Sequence, residues 1–220
     1  MALAMSPVNA QDAVALAGAE AGKGNGYAYL GTVLPLPGNR LGNGWVQRYW
    51  LDYTSYRYEK GPGAEIDATV VGGEAALGFQ ESGASGWWAA YLGARYGNTR
   101  LSPDDPTNED EGGRLRAKLQ LEGETAVSPS WRLNGIVSHL VGHSSYWLRV
   151  RAETTLGNGL RVGPEFVAQG DPNYRLHTLG VFVGGIKAGR NAALTLKGGL
   201  SKLESDSAGA YVGVEAYLPY

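Results

Sequence analysis

Two histidines stand four apart in His139-Leu140-Val141-Gly142-His143, followed at once by Ser144 and Ser145. On a helix that spacing would aim both imidazoles at one metal ion, but the glutamate that completes the zinc motif is missing. In a strand, four residues span about 13 Å at roughly 3.3 Å each, too far apart for a single ion. No metal site and no cofactor are expected. His143 with Ser144 offers a second chemistry, a base and a hydroxyl nucleophile acting on lipid at the rim of a membrane protein. Such a site needs its base oriented by a third polar group, and adjacent strand residues point to opposite faces. The competing reading is a polar turn, and no catalytic residue is assigned. Gly22-Lys23-Gly24-Asn25-Gly26 lacks the strand-to-helix context of a phosphate loop and reads as a turn.

The most informative groups are charges that recur at one parity of alternating segments. Arg48, Arg95, Arg116, Lys118, Arg149, Arg151 and Arg161 fall on the polar side together with Glu122, Glu153, Glu165 and Trp147. Arg114, Lys197, Asp52, Glu74, Glu124 and Glu215 share that parity. Charges enclosed by a protein must be paired or hydrated. Two arrangements satisfy this: a packed plug of salt bridges, or a narrow watery path whose arginines bind an anionic or hydroxyl-rich solute. Trp50, Tyr91 and Trp147 could stack on sugar rings or fill space.

The elements that would position these groups are strands. From Arg114 to Thr125 one face reads Leu115, Ala117, Leu119, Leu121, Gly123 and the other Arg116, Lys118, Gln120, Glu122, Glu124, a period-2 pattern that a helix would scramble. It is also long: soluble strands run about 5 to 6 residues, bilayer-spanning ones about 9 to 11. The pattern recurs over 45–58, 88–97, 146–154, 160–169 and 194–201. It is mixed over 66–80, 131–144 and 174–188, and 27–35 is a short strand. With Val212 to Tyr220 these make eleven, and 12–20, weakly strand-like from Ala13 to Ala19, supplies a twelfth. The fold expected is all-β, a transmembrane antiparallel up-and-down barrel of about twelve strands. Placing both ends in the periplasm puts the acidic 100–113 break outside, and gathers Trp45, Trp87, Trp88 and Trp131 into one interfacial girdle.

Composition agrees. No run reaches the ~18 apolar residues of a membrane-spanning helix. A net charge of −2 lacks the basic surplus of a nucleic-acid binder. There is no cysteine for disulfides or thiolate sites, and the 34 glycines suit close-packed sheet better than helix. Val8-Asn9-Ala10 resembles the end of a cleavable signal without a basic start. Residues 1–10 are therefore read as a signal remnant or tail, and 11–220 as one barrel. The alternation Val212, Val214, Ala216, Leu218, Tyr220 is that of a last outer-membrane strand, so lipid and the barrel-assembly machinery are expected partners.

Tyr27-Ala28-Tyr29-Leu30-Gly31 with Pro35-Leu36-Pro37-Gly38 resembles the N-terminal part of the BcsS family of cellulose biosynthesis proteins. Tyr53-Thr54-Ser55-Tyr56-Arg57-Tyr58, Leu101-Ser102-Pro103-Asp104-Asp105-Pro106 and Gly163-Pro164-Glu165 extend the resemblance along the chain. It implies a bacterial outer-membrane protein tied to cellulose production, with polysaccharide or other secretion proteins as partners and no catalytic residues to carry over. The leading expectation is a non-enzymatic barrel serving exopolysaccharide secretion or its surface organisation. A small Arg-lined channel for acidic sugars or other anions, and a lipid-modifying hydrolase, are the alternatives.

Overall fold

The computed structural model describes residues 13–60, 63–172, 174–204 and 207–220; the expected signal remnant lies outside them. Twelve strands succeed one another: β1 (Val14–Gly22), β2 (Asn25–Pro35), β3 (Asn43–Lys60), β4 (Ala64–Ser82), β5 (Gly86–Ser102), β6 (Gly112–Ala126), β7 (Trp131–Leu140), β8 (Tyr146–Thr155), β9 (Arg161–Gly170), β10 (Arg175–Ala188), β11 (Ala192–Leu203) and β12 (Gly209–Pro219). Each pairs antiparallel with its sequence neighbours, and β1 pairs with β12 from Val14↔Pro219 to Gly22↔Tyr211, closing the sheet. Ala13 and Tyr220 exchange two backbone hydrogen bonds of 3.0 Å at the end of that seam. The Tyr220 hydroxyl also lies 3.1 Å from that of Thr32.

Closure sends alternate residues outward. On β6, Leu115, Leu119 and Leu121 project from the barrel, and Leu51, Leu92, Leu179, Val181, Leu200 and Val212 do so elsewhere. An apolar surface running around the molecule far exceeds the few hundred Å² that soluble monomers expose, and hydrocarbon is the solvent that suits it. At the end carrying the termini, the Trp45 and Phe79 rings meet edge-on at 5.4 Å, with Phe79 5.9 Å from Trp88. Trp131 opens β7 at the same end, also exposed. Trp87 does not join them. It sits at the opposite parity and packs inside against Val14, Val33, Val46, Ala76, Ala89 and Tyr91. Two adjacent tryptophans in a strand cannot share a face.

The opposite end is uneven. β3, β4 and β5 have 18, 19 and 17 residues, against nine in β1, and so exceed the ~9–11 that span hydrocarbon. Along their outer face, Tyr53, Val71 and Tyr96 give way to Ser55, Arg57 and Glu59, to Glu65, Asp67 and Thr69, and to Asn98 and Arg100. That change marks the edge of the apolar band, above which the three strands stand as a tongue with a polar outer face.

Glycine makes room within. Gly18 and Gly31 face inward directly opposite Tyr29 and Trp50. A Cβ at either would run into the ring of its partner, so the rings lie flat across the neighbouring strand. In β10 the register slips between Val183 and Ile186, where Gly185 takes φ +77°, a bulge conformation that L side chains resist.

Leu119→Arg should lower stability by about 2–4 kcal/mol, as for a cation near the bilayer midplane, while Thr69→Arg should cost no more than about 1 kcal/mol. Urea titrations of the barrel refolded in lipid measure both. Equal costs would remove the boundary placed between Val71 and Thr69.

Candidate functional site: the charged lumen and its mouth

The interior charges form two networks. On β3–β6, Glu74 accepts from Lys118 at 2.6 Å and lies 3.6 Å from Arg48, while Arg95 pairs with Asp52. The Arg48 guanidinium sits 4.4 Å from the Trp50 ring centre and 5.4 Å from that of Tyr91. Among the described residues its Nε has no hydrogen-bond partner, so ring faces supply part of what a neutral acceptor would. On the other side, Glu215 of β12 meets Arg149 at 3.2 Å, Arg151 at 2.9 Å and Lys197 at 3.3 Å. Arg151 also pairs with Glu165, and Lys197 reaches Glu20 at 2.7 Å. The Glu165 side chain is 0 % exposed and that of Lys197 9 %. Between the networks, Tyr29 stacks on Trp50 at 4.5 Å and Trp50 donates to the Tyr27 hydroxyl. Arg161–Glu153, at 3.2 Å, and Arg132–Glu124 form two further pairs.

The expected lumen residues thus separate by partner. Arg48, Arg95, Lys118, Arg149, Arg151, Arg161, Glu153 and Glu165 face inward and are paired. Trp147 is half-buried, its ring centre 5.9 Å from Arg149. Glu122 is held by neutral groups: it accepts from Gln120 at 2.8 Å and Tyr91 at 3.2 Å. Among the described residues Arg116 finds no strand carboxylate, and it pairs at 2.8 Å with Asp110 of the β5–β6 connection. Arg114 lies exposed at the rim, its Nε donating to the Glu109 carbonyl. Sequence reasoning missed Glu20 and Arg132. Glu20 shows its parity only once β1 is registered on β12, because the small residues of β1 give no clear face.

The β5–β6 connection, expected at the outer end of the barrel, folds back over the mouth. Asp105, Asn108 and Asp110 are buried. Tyr58 donates to Asp105 at 2.9 Å and receives from Asn108 at 2.9 Å, and Lys60 pairs with Asp105. Asp110 also lies 3.1 Å from His143 Nε2. Beneath sit Tyr56, Tyr58, Ile66, Ala68 and Leu101, with Tyr174 stacked on Tyr56 at 4.3 Å. Burial pushes the Tyr174 phenol above its ordinary value, while the Lys60 ammonium holds the Asp105 carboxyl well below the usual carboxylate range. His143 has a carboxylate to orient it, but no serine hydroxyl hydrogen-bonds to it among the described residues. His139 projects outward from β7, so the two histidines do not converge.

The family described as "Cellulose biosynthesis protein BcsS" matches residues 14–220. Among curated proteins, no sequence matches the chain. Of solved structures, it is similar to the KdgM porin in complex with disordered oligogalacturonate (TM-score 0.51, 10 % identity, 94 % of this chain and 99 % of that one covered). It is also similar to the translocator domain of the autotransporter NalP from Neisseria meningitidis (0.55, 11 %, 97 % and 90 %). A third is the TodX deltaS2S3 mutant monoaromatic hydrocarbon channel (0.55, 8 %, 95 % and 91 %). At such identities the likeness is one of fold, that of outer-membrane barrels.

Glu165→Gln, which strips a buried carboxylate from Arg151 and Lys197, should destabilise the barrel by about 3–5 kcal/mol. Glu204→Gln, at the exposed Arg175–Glu204 pair, should cost about 0–1 kcal/mol. Denaturation midpoints in lipid decide, and a neutral Glu165→Gln would mean the interior is hydrated.

The loop carries a pH prediction. A carboxyl lowered by folding stabilises above its unfolded value and loses that contribution as pH falls through the folded value. Hydrogen exchange at the Thr107 amide, which donates to Asp105 at 3.1 Å, should therefore stay slow through about pH 4, where free aspartates titrate. Lys60→Ala should move the loss of protection to higher pH; loss near pH 4 in the unaltered chain would contradict the clasp.

Proposed function

The chain belongs to the BcsS family of cellulose biosynthesis proteins, and from that premise we propose a non-enzymatic barrel of the bacterial outer membrane. It retains or organises the polysaccharide at the cell surface and does not conduct it through the lumen. The observation that carries the reading is the mutual neutralisation inside. Arg151, Lys197, Glu165 and Glu215 hold one another at ion-pair distance. The mouth above is occupied by Asp105, Asn108 and Asp110. Orientation follows the usual rule for such barrels, with the termini in the periplasm and the tongue outside. Outer-membrane lipid surrounds the apolar band, and the β12 strand ending at Tyr220 is the segment offered to the barrel-assembly machinery.

A second reading, a narrow channel for acidic sugars or other anions, draws on two facts. Arg95, Lys118 and Arg149 keep some contact with water, and one structural neighbour is a porin solved with oligogalacturonate. Against it, an anion-selective field needs uncompensated positive charge, and each of these cations has a carboxylate beside it. Planar-bilayer recording of the purified barrel separates the two. Negligible conductance at low salt is expected, with a leak appearing in Arg149→Ala/Arg151→Ala, where the carboxylates lose their partners. Anion-selective conductance of the unaltered barrel at low salt, where screening is weak, would overturn the sealed reading.

A further inference from the structure

The step between the short β1–β2 hairpin and the tall tongue is hollow. β2 begins at Asn25, opposite Tyr56, while β3 continues to Lys60 and returns as β4. A recess of about 390 Å³ fills the step, lined among others by Gly24, Asn25, Ser55, Arg57, Asp67 and Thr69, a size within the ~300–1,000 Å³ range of ligand sites. At its edge the β1–β2 turn is exposed, with nothing within 4 Å of where a Cβ on Gly24 would stand.

The lining has a definite chemistry. Two hydroxyls, an amide, a carboxylate and a guanidinium alternate donors and acceptors around the hollow. Arg57 Nε is held by Asp67 at 2.8 Å and lies 3.1 Å from Glu65. Both ion pairs use Nε, which leaves the terminal amino groups of the guanidinium to donate elsewhere. With two carboxylates beside one guanidinium, the recess has no positive surplus for a phosphate, a sulfate or a uronate. A ligand with many hydroxyls and no charge matches it. The hollow also sits just above the apolar band, facing the space outside the proposed membrane.

We propose that this recess binds a short segment of neutral β-linked glucan at the outer surface. Neutrality comes from the charges of the recess; the linkage rests on the cellulose reading above. The mode is hydrogen bonding from Ser55, Arg57, Asp67, Thr69 and Asn25 to successive hydroxyls, with the polymer lying along the step and never entering the barrel.

The full chain, purified in detergent, is titrated with cellohexaose and separately with a galacturonate hexamer. Saturable binding of the neutral oligomer is expected, with weaker binding of the acidic one. Arg57→Ala and Asp67→Ala should each weaken it at least about tenfold, the effect of losing one or two hydrogen bonds. Unchanged heat-modifiable gel mobility confirms that both variants remain folded. Absence of saturable cellohexaose binding, equal or tighter binding of the acidic oligomer, or indifference to both substitutions overturns the proposal. Dye-stained cellulose on cells separates this from the wider reading. If deleting the chain leaves surface cellulose unchanged, the cellulose reading falls, and the assigned linkage with it. If deletion lowers it and both variants restore it in full, the reading stands and the recess is wrong.

Discussion

A sheet immersed in hydrocarbon can leave no strand edge open, because each unpaired peptide group there costs several kcal/mol with no water to take its place. Here that demand is met at the seam where β1 lies against β12, from Val14↔Pro219 to Gly22↔Tyr211. Once the seam is closed, every other residue must face either lipid or the interior, and the interior of a twelve-strand barrel is wide enough to need filling. The contents of the lumen are therefore a consequence of closure. Apolar side chains fill it near the termini, rings fill it where glycines let them lie flat, and paired charges fill the rest.

The pairing is not local. Glu215 on the last strand collects cations from β8 and β11, and Glu20 on the first strand holds Lys197. Arg149 and Glu215 sit on strands that do not neighbour each other, so their contact crosses the lumen. Such contacts tie walls together that share no hydrogen-bond ladder. The β5–β6 connection completes the set by lending Asp110 to Arg116. The loop is thus part of the interior charge balance, which explains why an acidic segment that looks solvent-seeking is buried at three of its residues.

The period-2 alternation of β6 and β8 was readable from the residues alone, because one face is aliphatic and the other charged. It blurred over 131–144 and 174–188 for a reason visible in the fold: Ile136, Leu176 and Phe182 face inward, so apolar residues occupy both sides. Trp87 was misplaced by the same logic, since a tryptophan beside the terminus-end turn fits the girdle by position and fails it by parity. Which residues face the lumen was therefore largely legible, but who pairs with whom was not. Partner choice depends on register across strands far apart in sequence, and the fold-back of the loop depends on Tyr58 and Lys60, some forty-five residues upstream of Asp105.

The barrel is most asymmetric where its function is proposed to lie. Strand length beyond the hydrocarbon contributes nothing to spanning, and in β3–β5 it amounts to several residues per strand with a polar outer face and a largely apolar inner one. That inner face is sealed by the acidic loop, which keeps Tyr56 and Tyr58 from presenting apolar surface to water. The outer face carries the Arg57, Glu65 and Asp67 group, in which two carboxylates share one guanidinium and leave no positive surplus. A surface so arranged has little attraction for anionic polymers or phosphorylated lipid heads. What it offers is hydrogen bonding without a positive surplus, on a wall held upright by the full ladder of β3 against β4 and fixed in height by the lipid around its base.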